Sequence, residues 1–177
     1  EIFPPEDSLD LLERKIVKDN YEIEIAVIKL PTLSNFSDIE PLEMESTVKI
    51  KWVEINDYLG KPDSVIIPGS KQTIQDLNAL YKSGMAEQIK EHIHSGGNIF
   101  GICGGMQMMG MYLEDPLYIE SSEKIKEKKI EGLGLIPIST TFKKGKSLLQ
   151  RQITSSWPEK VKVKGFELHH GESKLLE

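Results

Sequence analysis

Ile99-Phe100-Gly101-Ile102-Cys103-Gly104-Gly105-Met106-Gln107-Met108-Met109-Gly110 decides how this chain folds. An apolar run, Asn98 to Ile102, ends at a glycine-rich corner, and a helix-like segment, Gly104 to Tyr112, follows it. The only cysteine stands on the corner. Strand, sharp reversal and helix make a nucleophile elbow, in which the reactive side chain is held on a strained turn at a helix start. Such a turn needs small neighbours: Gly101 and Gly105 lack the Cβ atoms that would collide as strand and helix close, and Gly104 lets backbone approach a substrate. A thiol at a helix N-terminus also feels the positive end of the dipole, which favours the attacking thiolate. The competing reading is a buried cysteine in a glycine-rich loop, since free cysteine is among the most buried residue types.

Working outward, the chain alternates strand and helix signals. Ile23 to Leu30 is rich in Ile, Ala and Val and stops at Pro31, as a buried central strand would. Val48 to Val53 alternates apolar and charged residues, which suits a strand nearer an edge. Ser64 to Ile67 is a further buried strand, closed by Pro68-Gly69. After it, Thr73 is placed to cap a helix whose Ile74, Leu77, Leu80 and Tyr81 share one face, with Gly84 as its stop. A second helix, Ala86 to His94, ends at Gly96-Gly97. This alternation predicts one α/β domain: an open, mostly parallel sheet flanked by helices on both faces. At the two ends the signals are simpler. Asp7 to Lys15 carries the marks of a short helix, Ser121 to Glu131 reads as a solvated loop, and Leu135 to Phe142 and Val161 to Leu168 read as two more strands around a polar stretch with Gly145 and Pro158.

Composition narrows the function classes. The chain has 177 residues, 38% of them hydrophobic, enough for one core. A net charge of -6, with no interleaving of basic and aromatic residues, argues against a nucleic-acid partner. A single cysteine forms no internal disulfide, and the absence of a signal-like stretch or a long apolar run predicts a cytoplasmic setting with no membrane partner. The chain starts at Glu1 and stops at Glu177, so it reads as a fragment of a longer polypeptide.

A thiol that attacks a carbonyl carbon needs a base for its proton and two donors for the oxyanion. Of four histidines, His92 and His94 fall in a helix and read as ordinary surface positions, whereas His169 and His170 follow a strand that ends at Leu168. Strand ends gather ligands in open α/β sheets, which favours the later pair. His170 followed by Glu172 has the spacing in which a carboxylate orients an imidazole. Adjacent residues of an extended chain face opposite ways, so at most one of the pair faces Cys103. For the oxyanion, the Gly104 amide supplies one donor and the Gly69-Ser70 turn is the candidate for the second.

Together, the elbow Gly101-Ile102-Cys103-Gly104-Gly105-x-Gln107, the turn Ile67-Pro68-Gly69-Ser70-Lys71 and the stretch Gly165-Phe166-Glu167-Leu168-His169-His170-Gly171 resemble a class I, triad-type glutamine amidotransferase domain. More narrowly, the chain is similar to the glutaminase domains of the cobyric acid synthase family. That likeness rests also on Glu6-Asp7-Ser8-Leu9, on the segment from Ile28 to Asp38 with Ser34-Asn35-Phe36, on Asp115-Pro116, and on Gly132-Leu133-Gly134-Leu135-Ile136-Pro137.

The resemblance implies a flavodoxin-like fold over residues 1–177 and hydrolysis of glutamine through a thioester on Cys103. It makes His169 the general base, with His170 and Glu172 as the alternative base and orienter, because Gly171 stands where many class I enzymes carry the orienting glutamate. Ammonia would pass to an ATP-dependent synthetase domain on the N-terminal side, which amidates corrin side-chain carboxylates in cobalamin biosynthesis. No phosphate-binding Gly-x-x-x-x-Gly-Lys-Ser/Thr loop occurs here. ATP and Mg are therefore expected on that other domain, with no cofactor or metal in this one. Two rival readings stay open: a glutaminase serving another acceptor, as in cobyrinic acid diamide synthases or cell-wall lipid amidation, and an amidotransferase-like docking module without turnover.

Overall fold

The computed structural model describes residues 20–120, 128–156 and 159–177, apart from the side chains of 146–148 and 167–170. The expected helix over Asp7 to Lys15, the Glu6-to-Leu9 motif, Pro158 and most of the Ser121-to-Glu131 loop lie outside the described residues.

Four parallel strands make the first sheet: β1 (Ile23–Lys29), β2 (Val48–Glu54), β3 (Ser64–Ile67) and β4 (Asn98–Gly101), in the order β2-β1-β3-β4. The half-polar β2 takes an edge, and the apolar β1 and β3 take the centre. Register follows from strand period. Ala26, Ile28, Val65 and Ile67 point into one core with Ile74, Leu77, Leu80 and Ile89, while Val27 and Ile66 meet Ile39 on the other face. Those partners come from α2 (Thr73–Ser83) and α3 (Met85–His94) on one side, and from the residue before α1 (Glu40–Met44) on the other. Gly84, at φ 80°, ends α2 and opens α3. That left-handed conformation favours glycine.

Beyond the elbow helix α4 (Gly104–Met109) the chain builds a second, mixed sheet of β5 (Tyr112–Glu114), β6 (Lys129–Glu131), β7 (Ile138–Thr154) and β8 (Lys162–Leu175), in the order β6-β5-β7-β8. Three expectations change here. The helix predicted to reach Tyr112 stops at Met109, because Gly110 is extended and the Met111 amide bonds Ile138 O instead of the helix. Lys129 to Glu131, read as loop, pairs antiparallel with β5, burying Ile130. The two later strands are longer than their apolar cores: β7 and β8 form one antiparallel ribbon, interrupted between Phe142 and Ser147, whose pairing carries polar residues into the ladder.

Ile28 is fully buried and Met44 is 84% exposed. Ile28→Ala is expected to lower the unfolding free energy by about 2–5 kcal/mol, and Met44→Ala by less than about 0.5 kcal/mol, as read by urea denaturation.

Candidate active site

Cys103 occupies the corner between β4 and α4 with φ 49° and ψ -111°. Positive φ is uncommon for a side-chain-bearing residue and stores strain of about 1–3 kcal/mol. The strained cysteine is exposed, which answers the buried-thiol reading. The corner is held by Ile102 N–H to Ile67 O (2.9 Å), Gly105 N–H to Ile102 O (2.8 Å) and Gln107 N–H to Cys103 O (3.1 Å). Neither flanking glycine has room for a Cβ. One on Gly101 would lie 2.7 Å from the backbone of Met106, and one on Gly105 would lie 2.6 Å from Ile67 C and 2.7 Å from Pro68 O.

The Gly69-Ser70 turn comes to the same corner, because β3 and β4 are neighbours in parallel register, Ile67 opposite Gly101. A Cβ on Gly69 would be 4.0 Å from Cys103 Cβ, and one on Gly104 would be 3.1 Å from Ser70 Cβ and 3.2 Å from Ser70 N. The turn pairs with the segment after β1: Ser34 donates to Gly69 O (3.0 Å) and Lys71 to Thr32 O (2.8 Å), with Leu33 opposite Ser70. In an antiparallel pair the residue between two such bonds turns its own N–H the other way. Ser70 therefore turns its amide away from the 32–34 segment, and its nitrogen lies 3.2 Å from where a Cβ on Gly104 would stand.

A buried carboxylate fixes this arrangement. Asp76, fully buried on the first turn of α2, accepts hydrogen bonds from Thr32 N–H (3.1 Å), Thr32 Oγ1 (2.8 Å) and Ser70 Oγ (2.6 Å). The Gln72 amide in turn donates to Thr32 Oγ1 (3.0 Å) and Ser70 Oγ (3.1 Å). Thr73 is not the cap: Gln72 is, without a side-chain cap bond, and the Thr73 amide donates to Glu120 Oε2 (2.8 Å). Burial, with Asp115 and Asp76 nearby, pushes the Glu120 carboxyl above its ordinary range, and the Thr73 amide opposes that rise. Thr32, Asp76 and Glu120 were not legible as site residues. The one available signal was a carboxylate inside the first turn of α2, beside the apolar positions Ile74 and Leu77.

The histidines divide between α3 and β8. His92 and His94 end α3, bonded to Asn98 O (3.0 Å) and Lys90 O (2.8 Å), at the edge of the sheet where β4 begins. His169 and His170 lie in β8 with side chains outside the described residues; the backbone of His169 pairs with Ser147. Their neighbour Gly171 pairs with Phe142, and a Cβ there would be 2.7 Å from Gln107 Nε2 of α4. The Glu172 carboxylate is paired with Lys143 and, at 3.5 Å, with Lys174, and the Lys143 hydrogen bond holds it below its ordinary range.

Comparison with known proteins gives the family of the chain that carries this exposed, strained strand-to-helix corner. The family model for the CobB/CobQ-like glutamine amidotransferase domain matches residues 24–177. The chain belongs to that family. It is a glutamine amidotransferase domain, 57% identical over 178 residues to a cobyric acid synthase of Prochlorococcus marinus (strain MIT 9313) and 59% identical over 174 residues to the cobyric acid synthase of a second strain of that species. These alignments cover 100% and 98% of this chain but 36% and 34% of the relatives. The chain thus spans about a third of the length of the curated relatives it matches. Two solved structures share the fold at 16% identity: one described as a glutamine amidotransferase (TM-score 0.61, covering 86% of this chain and 75% of that one) and PurLQS from Thermotoga maritima (0.59, 88% and 71%). Among the described residues no helix is long and apolar enough to cross a membrane.

Removing the Asp76 carboxylate takes the acceptor from half-buried donors of Thr32 and Ser70. Asp76→Ala is expected to cost about 1–3 kcal/mol of stability, and Asp76→Asn less, in chemical denaturation.

Proposed function

We propose that this domain hydrolyses glutamine through a covalent intermediate on Cys103. The sulfur bonds to the side-chain carbonyl carbon, and the negative charge that develops on the oxygen is held by the Gly104 amide and by the Gly69-Ser70 turn, with the Ser70 amide as donor. The C–N bond then breaks, and ammonia leaves with the proton taken from the thiol. Water, deprotonated by the same base, attacks the thioester; glutamate departs and the thiol is restored. The observation that carries this reading is the exposed Cys103 at positive φ beside that turn.

His169 is the proposed base. The family resemblance gives it that role, and its neighbour Gly171 brings this part of β8 against α4 at Gln107. The rival pair, His170 with Glu172, is weakened by the commitment of the Glu172 carboxylate to Lys143 and Lys174. No metal or cofactor is assigned to this domain.

The ammonia is proposed to serve an ATP-dependent synthetase, with ATP and Mg held there and corrin side-chain carboxylates as acceptors. Support comes from the relatives named cobyric acid synthase, whose length is about three times that of the matched segment.

Ammonia release from glutamine by the full polypeptide tests the chemistry. Cys103→Ala is expected to abolish it together with labelling by a glutamine-analogue electrophile, and His169→Ala to lower turnover at least about 100-fold, the usual lower range for a general base. His170→Ala is expected to stay within a few-fold of the parent. Loss with His170→Ala alone would transfer the role to that residue, and retention in both histidine variants would place the base elsewhere in the polypeptide. A parent protein that neither releases ammonia nor takes the label would favour the docking-module reading.

A further inference from the structure

Glu120 is 47 positions from Thr73 in sequence, yet its carboxylate accepts the first helical amide of α2 at 2.8 Å. The loop that carries it is built for that reach. Asp115, fully buried, accepts the amides of Ile119 (2.8 Å) and Glu120 (2.9 Å), and its own amide donates to Lys128 O (2.9 Å). The other end of the contact is at the elbow. Thr73 is buried, and its Oγ1, with Ser70 Cβ and Ser70 N, packs on Gly104 at 3.1, 3.1 and 3.2 Å from where a Cβ would stand.

Helix N-termini leave amides without intrahelical partners. In α2 the cap residue Gln72 supplies no side-chain acceptor, so these amides are met from other segments. Thr32 and Ser70 take the Gln72 amide from one side, and Glu120 takes the Thr73 amide from the other. Without Glu120 the Thr73 amide loses its acceptor beside Gly104, and the position of the helix start relies on the bonds among Thr32, Ser70, Gln72 and Asp76.

We propose that Glu120 is a positioning residue for glutamine hydrolysis: by holding the Thr73 amide it keeps the Ser70 and Gly104 amides converged on the oxyanion of the Cys103 adduct. The inference rests on the glutaminase reading and deepens it. An interaction that shapes the oxyanion pocket acts mainly in the transition state, so its loss lowers kcat with little change in KM.

The ionised carboxylate also has a cost that a neutral cap would not. Burial, Asp115 and Asp76 raise its folded-state pKa above the unfolded value. For a carboxylic acid that direction means the folded state holds the proton more tightly, so stability falls as pH rises from the unfolded toward the folded pKa and stays lowered above it. A neutral amide that keeps an acceptor oxygen removes this cost.

The test uses the full polypeptide, with glutamine hydrolysis, amide hydrogen exchange over 69–73 and thermal unfolding at neutral pH as readouts. Glu120→Ala is expected to lower kcat about tenfold or more, leave KM within about twofold, and speed exchange across 69–73. Glu120→Gln, which keeps an oxygen acceptor, is expected to recover most of both losses and to unfold at or above the parent temperature. Unchanged exchange in Glu120→Ala, or a KM rise at constant kcat, would overturn the proposal, the latter by making Glu120 a substrate ligand. If Glu120→Ala does not fold, a Glu120→Gln protein with the low kcat of a lost donor and no exchange protection would overturn it as well. A parent protein without ammonia release, whose 69–73 exchange still responds to Glu120→Ala, would overturn the glutaminase reading while leaving the tie between Glu120 and the turn established.

Discussion

The first turn of α4 lies against the end of β3 closely enough that no Cβ fits at position 105, where it would press on the Ile67 carbonyl and come within 2.7 Å of Pro68 O. This contact sets the rest of the site. It lets the Ile102 amide bond Ile67 O, it forces the chain to reverse at Cys103 with positive φ, and it brings the turn after β3 to the elbow made after β4. A longer separation between strand and helix would relax the corner and move the Gly69-Ser70 turn away from Gly104. Elbow strain and the packing of the Gly69-Ser70 turn on Gly104 are two consequences of one close approach.

What the close approach creates, carboxylates hold in place. Asp76 gathers Thr32 and Ser70 from inside α2, and Glu120 meets the helix start from the loop after β5. Both are drawn into low-dielectric surroundings where an unpaired charge would be costly, and both have their cost offset by hydrogen-bond donors. The arrangement ties three segments distant in sequence, those after β1, β3 and β5, to one helix end. The two sheets, which share one apolar core, are thereby also tied next to the thiol.

Local signals carried much of the first sheet. Ile23 to Leu30 and Ser64 to Ile67 are apolar runs stopped by Pro31 and Pro68, and they became β1 and β3 within a residue of their expected ends. The charged alternation of Val48 to Val53 marked an edge strand, and Gly84 stopped α2 in the left-handed conformation that favours glycine. The second sheet was harder to read because its strands are defined by partners: Tyr112–Glu114 and Lys129–Glu131 are three residues each and stabilise one another across a gap no local period spans. The site divides along the same line. Cys103, Gly104, Gly69 and Ser70 stand out as a turn chemistry written in consecutive residues, whereas the Thr73 amide finds its acceptor at Glu120 only through tertiary structure, which is why a local cap was expected instead.

The central claim is that the strained corner delivers a covalent nucleophile. Acid quenching of the full polypeptide during turnover of isotopically labelled glutamine, followed by peptide mass spectrometry, tests it directly. The account predicts a glutamyl increment on the peptide that contains Cys103, reversed by mild base or hydroxylamine as a thioester would be. Sustained ammonia release with no label on that peptide, or with the label on a different side chain, would contradict it.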